Sequence, residues 1–199
     1  MKQLSLFLLA AIVLLAACNN NKSKDTTTFT SEDGKEKVTV DLKKMQNAVA
    51  DMEKQKKELE KLTPLTIDQL KGMIPETLMG VARTRYEANS AMGAGLAQGE
   101  YKINDSVDVK LNIYDCAGPG GAGIYSLQYL GMMNMEQDSD EEYTKTIEFN
   151  GGKAFEHCEK ISNDCTITWF AGGRFLVSLE GDHIGADALK QAAGGLNIK

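Results

Sequence analysis

Apolar positions change their spacing along this chain, and each spacing predicts a different element. Residues 4–15 form an almost unbroken apolar run, with Ser5 as its single polar residue. From 41 to 62 the apolar side chains are Leu42, Met45, Val49, Met52, Leu59 and Leu62, at intervals of 3, 4, 3, 7 and 3. Those intervals trace one face of a helix, with Lys56 breaking the stripe. Further on the period falls to two: Val107, Val109, Leu111 and Ile113 alternate with Asp108, Lys110 and Asn112, which predicts a half-buried strand.

Punctuation between these runs sets the remaining elements. Thr63-Pro64 ends the long helix, Thr66 caps a short one over 67–73, and Pro75 stops it. Strands are expected at 81–92, 97–103, 107–113, 143–149, 153–160, 165–170 and 174–180, and further helices at 124–135 and 186–193. Gly93 and Gly95 mark a bend, residues 118–123 a glycine-rich turn, and residues 136–142 an acidic loop. Asn150-Gly151 and Gly172-Gly173 are hairpin turns, because their residues tolerate positive φ, and hairpins mean antiparallel pairing. The predicted fold is α+β: a mostly antiparallel sheet of five to seven strands covered by helices, preceded by a long amphipathic helix. The 41–62 helix reads as lying against its own domain. Its alternative is a coiled-coil stalk for self-association or a protein partner, weakened by the Lys56 interruption and by fewer than four clean heptads.

The first 18 residues carry the most specific pattern. Lys2 is followed by the apolar run, then Leu15-Ala16-Ala17-Cys18, then the polar tract Asn19-Asn20-Asn21-Lys22. The run is too short for the ~20 residues that span a bilayer core, so it reads as an export signal. Leu15-Ala16-Ala17-Cys18 resembles the lipobox of bacterial lipoproteins. The resemblance implies cleavage before Cys18, acylation of its thiol with palmitate-type chains, and acylation of the new amino group. Two or three chains hold a protein firmly where one does not. The expected organisation is a signal peptide (1–17), lipidated Cys18 with a flexible polar tether (18–37), the amphipathic helix (38–62) and the globular domain (63–199). The expected address is the cell envelope, anchored in the outer membrane and facing the periplasm, since no Asp follows Cys18.

Composition sharpens this picture at two points. Hydrophobic residues are 42% and charged residues 25% of 199, values of a globular chain. The net charge is −6, and loss of Lys2 with the signal makes it −7, so nucleic acid is not an expected partner. An acidic body on a lipid anchor is also pushed away from anionic headgroups.

Candidate chemistry is sparse. Cys158 and Cys165 flank the expected tip between two strands, so they form a disulfide, stay buried thiols, or pair otherwise, Cys116 included. Cys116 is left over, and a catalytic thiol needs a base and a lowered pKa. Cys116, Cys158, His157 and His183 are the residues an envelope enzyme or metal-handling protein would use. No CxxC, HxxxH or HExxH spacing joins them, and neighbours such as His157 and Cys158 point to opposite faces of a strand. Gly118-Pro119-Gly120-Gly121-Ala122-Gly123 matches a dinucleotide fingerprint, but Pro119 removes an amide donor, and a structural turn is the preferred reading. Met132, Met133 and Met135 read as core filler, the Asp138–Glu142 acidic run as solvated, and Arg174 as a surface charge. No catalytic residue, metal or cofactor is expected.

Phe149-Asn150-Gly151-Gly152-Lys153, then Trp169 through Arg174-Phe175-Leu176-Val177 to Glu180-Gly181, resembles the domains of uncharacterised exported bacterial lipoproteins. It is more distantly similar to sheet-and-helix folds of the photosystem PsbP kind. The expected function is that of a membrane-anchored envelope lipoprotein acting as a non-catalytic accessory or binding module.

Overall fold

The structure, a computed structural model, describes residues 26–30, 37–91, 93–131 and 136–198. The signal sequence, the lipobox, Cys18 and the start of the tether lie outside the described residues, as do Met132, Met133 and Met135. The chain divides into two units, Met1–Lys43 and Lys44–Lys199.

In the first unit β1 (Thr26–Thr30) and β2 (Lys37–Asp41) pair antiparallel, with Thr26 opposite Asp41 and Thr30 opposite Lys37. Residues 26–30 and 37 are thus paired strand where a flexible tether was expected, and the rest of 18–37 lies outside the described residues. The segments TTTFT and KVTVD are rich in β-branched residues, which favour an extended, paired backbone over a solvated coil. Pairing of residues 37–41 also delays the next element, so α1 (Leu42–Lys61) starts at Leu42 and not near 38.

The second unit is built on one nine-stranded sheet, more than the five to seven strands expected. Its strands are β3 (Thr77–Leu78), β4 (Val81–Ala91), β5 (Ala94–Lys102), β6 (Asp108–Asp115), β7 (Glu136–Asp138), β8 (Glu142–Phe149), β9 (Gly152–Glu159), β10 (Asp164–Ala171) and β11 (Phe175–Gly181). They lie in the order β3-β4-β5-β6-β11-β10-β9-β8-β7, and every neighbouring pair is antiparallel. Two meanders, β3–β6 and β7–β11, thus meet where the last strand pairs with β6. The extra strands are the short edges β3 and β7. Strand β7 occupies part of the acidic loop, where a partner strand gives the backbone of a charged, otherwise unpromising stretch its hydrogen bonds.

Between the meanders runs α3 (Gly118–Gly131), which begins inside the expected glycine turn and not at 124. The reason is close approach. A Cβ on Gly121 would lie 2.5 Å from the Cys116 carbonyl carbon and 2.6 Å from the Asp115 carbonyl oxygen. Only glycine lets the first helical turn fold back onto the strand it has just left. Asn150 and Gly151, with φ of 51° and 80°, make the two-residue turn between β8 and β9 as the sequence predicts.

Helices cover both faces of the sheet. On one face α2 (Ile67–Lys71) and α4 (Ala186–Gly194) bring Leu70, Leu189 and Ala193 against Leu111, Ile113, Ile167, Trp169, Val177 and Leu179. On the other, α1 and α3 bring Met52, Leu59, Ala122 and Tyr125 against Cys116 and Leu176, with Phe155 and Phe170 at the margin. The long helix is therefore not a free leading element. Leu59 is 0% exposed, and two of the six stripe residues are committed to the domain's own core. Burial on both faces also explains why β11, read as FLVSLEG, lacks a clean period of two.

Candidate binding site

The four residues proposed for chemistry are dispersed. Cys158 and Cys165 stand directly opposite each other on β9 and β10 and form a disulfide, with their Cα atoms 4.1 Å apart. His157 projects to the other face, where its Nδ1 lies 2.9 Å from Thr144 Oγ1 and its Nε2 is 3.9 Å from Glu142 Oε2. Cys116 lies six residues beyond the row containing His157, about 20 Å along the strand direction. Its thiol is fully buried, and burial, with the charge of Asp115 adding to it, pushes the pKa up to about 12. Such a thiol is a structural apolar group at neutral pH. His183, at a φ of 57° beside α4, donates its backbone N–H to Asp164 Oδ1 at 2.7 Å and leaves its ring mostly in solvent. Among the described residues, no group of three or more His, Cys, Asp or Glu side chains is placed to hold a metal ion.

Two carboxylates, Asp115 and Glu156, are buried among the described residues. Asp115, 0% exposed, accepts hydrogen bonds from Arg174 Nε at 2.8 Å, Arg174 Nη2 at 2.9 Å, Leu65 N at 2.7 Å and Ala117 N at 3.1 Å. Burial alone would raise its pKa, but the Arg174 bonds and the two N–H groups outweigh it and hold the carboxyl below the usual 3.8. Arg174 also donates to the Thr63 carbonyl at 2.8 Å. It is a clamp tying the α1–α2 junction to the sheet, and not the surface charge expected. With both oxygens doubly bonded, Asp115 has nothing left to offer a ligand.

Glu156 is different. It sits on β9 between Lys145 on β8 and Ile167 on β10, facing α4, and is 1% exposed. Its Oε1 accepts from the Tyr143 hydroxyl at 2.7 Å and from Lys145 Nζ at 2.9 Å. Its Oε2 is paired with the Lys190 ammonium, whose Nζ lies 3.2 Å away. Lys190 is held there by Asp187 at 2.7 Å, one turn back on α4. Desolvation would raise the Glu156 pKa, yet Lys145, Tyr143 and Lys190 together bring it below the usual value, so the group is ionised. Burial, reinforced by the bond to this carboxylate, pushes the Tyr143 hydroxyl up to about 12.

These groups line a cavity of about 320 Å³ between β8, β9 and the first turn of α4. The N-cap of α4 is Gly185, which supplies no side-chain cap to the first-turn N–H groups. The cavity therefore combines two ammonium groups, two carboxylates and a helix N-terminus in near charge balance. A wider trench of about 730 Å³ opens between residues 72–80 and the C-terminal side of α4, with Met73, Leu78, Met79 and Leu196 among its walls. Among its described lining residues the polar side chains are Thr77, Gln191 and Asn197, and none of them titrates. The Glu156 cavity is the better candidate, because convergent polar groups are what orient a ligand.

The signal for Glu156 was present but ambiguous. It shares a strand parity with Ala154 and Cys158, while Phe155 occupies the other, so neither face of β9 reads as the wet one. Comparison with known proteins adds no relative: no family model matches the chain, and neither a curated protein nor a solved structure resembles it significantly. No described helix is long and apolar enough to cross a membrane.

Proposed function

We propose that this protein is a cell-envelope lipoprotein, moored through acyl chains on Cys18, whose folded part is a non-catalytic binding module. The observation that carries this reading is the order of the first residues: Lys2, an apolar run, Ala16-Ala17, Cys18 and a polar tract. Each part has its task, the charge to orient the segment, the run to enter the export machinery, and the small pair to admit a protease next to the thiol. The outer membrane, periplasmic side, is the proposed address. The Cys158–Cys165 disulfide suits an oxidising compartment.

The folded part supports binding over chemistry. Its best-formed polar cavity holds ionised, mutually paired groups, and Cys116 is buried with a raised pKa. An enzyme or metal handler built on Cys116, Cys158, His157 and His183 would need those residues together, and they occupy separate places in the fold.

The test is expression of the full chain and of Cys18→Ser in cells fed a clickable palmitate analogue, followed by fractionation. The expected result is label and membrane association for the native chain and neither for the variant. An unlabelled native chain, recovered soluble with an intact amino terminus, would overturn the reading.

A further inference from the structure

Strand β4 runs along one margin of the sheet, and its cover stops early. Strand β3 pairs with it only at Ala82 and Val81, and the Glu76 carbonyl extends that contact to the Arg83 N–H. A register shift follows between Arg83 and Arg85. Beyond it, among the described residues, β4 from Arg85 to Ala91 has a neighbouring strand on one side only, β5. Ala91 and Ala94 close the two-residue turn between these strands, so Ala91, Asn89, Glu87 and Arg85 direct their backbone groups to β5. Tyr86, Ala88 and Ser90 therefore turn their N–H and C=O groups outward. Such a row is a template for another strand, and natural edges commonly block it with Lys or Pro. Residues 85–91, RYEANSA, contain neither.

The charges on this edge say which strand fits. Arg85 and Glu87 flank Tyr86 on one face of β4, with side chains 65% and 49% exposed. Within the chain Arg85 lies 3.5 Å from Glu87 and 3.6 Å from Glu100, long ion pairs in solvent that do little to hold it. When β4 meets its own copy antiparallel, the position of the two-fold axis decides what faces what. An axis at Arg85 or at Glu87 sets like charges opposite each other, and an axis at Ala88 sets Glu87 opposite Asn89 with no ion pair. An axis at Tyr86 places Arg85 of each copy opposite Glu87 of the other, twice by symmetry. Backbone parity agrees, because Tyr86 is one of the residues whose N–H and C=O point outward, and its side chain is 49% exposed.

We propose that β4 pairs antiparallel with β4 of a second copy of this chain about a two-fold axis at Tyr86, Arg85 of each facing Glu87 of the other. Two nine-stranded sheets then become one. The pairing needs neither acyl chains nor a ligand, so it goes beyond the reading of the folded part as a binding module.

The experiment is thiol cross-linking of the full chain carrying Tyr86→Cys, with a short bismaleimide and peptide mapping of the product. A link between residue 86 of two copies is expected. Ala91→Cys is expected to give no such link, since its two copies would stand ten residues apart along the pair, about 33 Å. Adding Glu87→Arg to Tyr86→Cys turns both ion pairs into repulsions and should lower the yield at least about tenfold. Adding Arg85→Glu as well exchanges the charges and should restore it, which a merely damaged fold would not do. All these positions are exposed, so the variants leave the core intact. No link at residue 86, equal links at 86 and 91, or a yield indifferent to the charge reversal would each overturn the pairing. A product joining residue 86 to a different protein in place of a second copy would overturn it too.

Discussion

Removing the Arg174 guanidinium tests the tightest polar arrangement in the molecule. Arg174→Met keeps the aliphatic stem and deletes the two bonds to Asp115, at 2.8 and 2.9 Å, and the bond to the Thr63 carbonyl. Asp115 is then a fully buried carboxylate held by only the N–H groups of Leu65 and Ala117. Hydrogen bonds to charged groups contribute about 1.5–3 kcal/mol each, and the side chain of Arg174 is only 21% exposed, so water screens little of the loss. Breaking one partner out of a buried pair typically costs about 3–5 kcal/mol, a large fraction of a domain's net stability. The pH dependence supplies a sign. In the native protein the Asp115 carboxyl is held below 3.8, so its contribution is present at neutral pH and lost as pH falls through the folded value. In Arg174→Met burial prevails and the folded pKa rises above the unfolded one, so protonation relieves the variant. The gap between the two proteins should therefore be widest near pH 7 and narrow below about pH 4. Urea unfolding of both proteins at pH 7 and at pH 3.5 measures it. A loss under about 1 kcal/mol at pH 7, or a gap that widens in acid, would refute the assignment of Arg174 and Asp115 as a buried clamp.

Three further outcomes are expected. Leu59→Ala should cost about 2–5 kcal/mol in chemical denaturation while Leu62→Ala, at a site 39% exposed, changes little, because only the first leaves a cavity beneath α1. In the chain acylated at Cys18, Cys116 should resist iodoacetamide at pH 8 when folded and add one alkyl group in denaturant, as read by intact mass, since its thiol is buried and its pKa is pushed up to about 12. Replacing both Cys158 and Cys165 by alanine should lower stability by about 2.5 kcal/mol, the chain-entropy value for so short a loop, and leave the far-UV spectrum unchanged.

Local signals carried much of the architecture. The alternation of Val109, Leu111 and Ile113, the Asn150-Gly151 turn and the Thr66 cap each correspond to an element in the structure, because each depends on neighbours a few residues apart. Strand number was less legible. Strands β3 and β7 are two and three residues long and exist only because a longer strand lies beside them, so their own residues announce nothing. The glycines at 118–123 read as a turn, and their purpose became visible only with Gly121 set against the Cys116 backbone.

The candidate site was the least legible part. Tyr143, Lys145, Glu156 and Lys190 are ordinary residues in ordinary strands and a helix, and no motif joins them. They converge because β8 and β9 are paired in one register and α4 lies across them. By itself the sequence determined the lipobox-like start, the alternation of helix and strand, and the antiparallel hairpins, all of which depend on the order of nearby residues. Which charges are buried, which partners they find, and what shares a cavity with Glu156 were decided by tertiary structure alone, because desolvation and hydrogen bonding depend on distances that only packing sets.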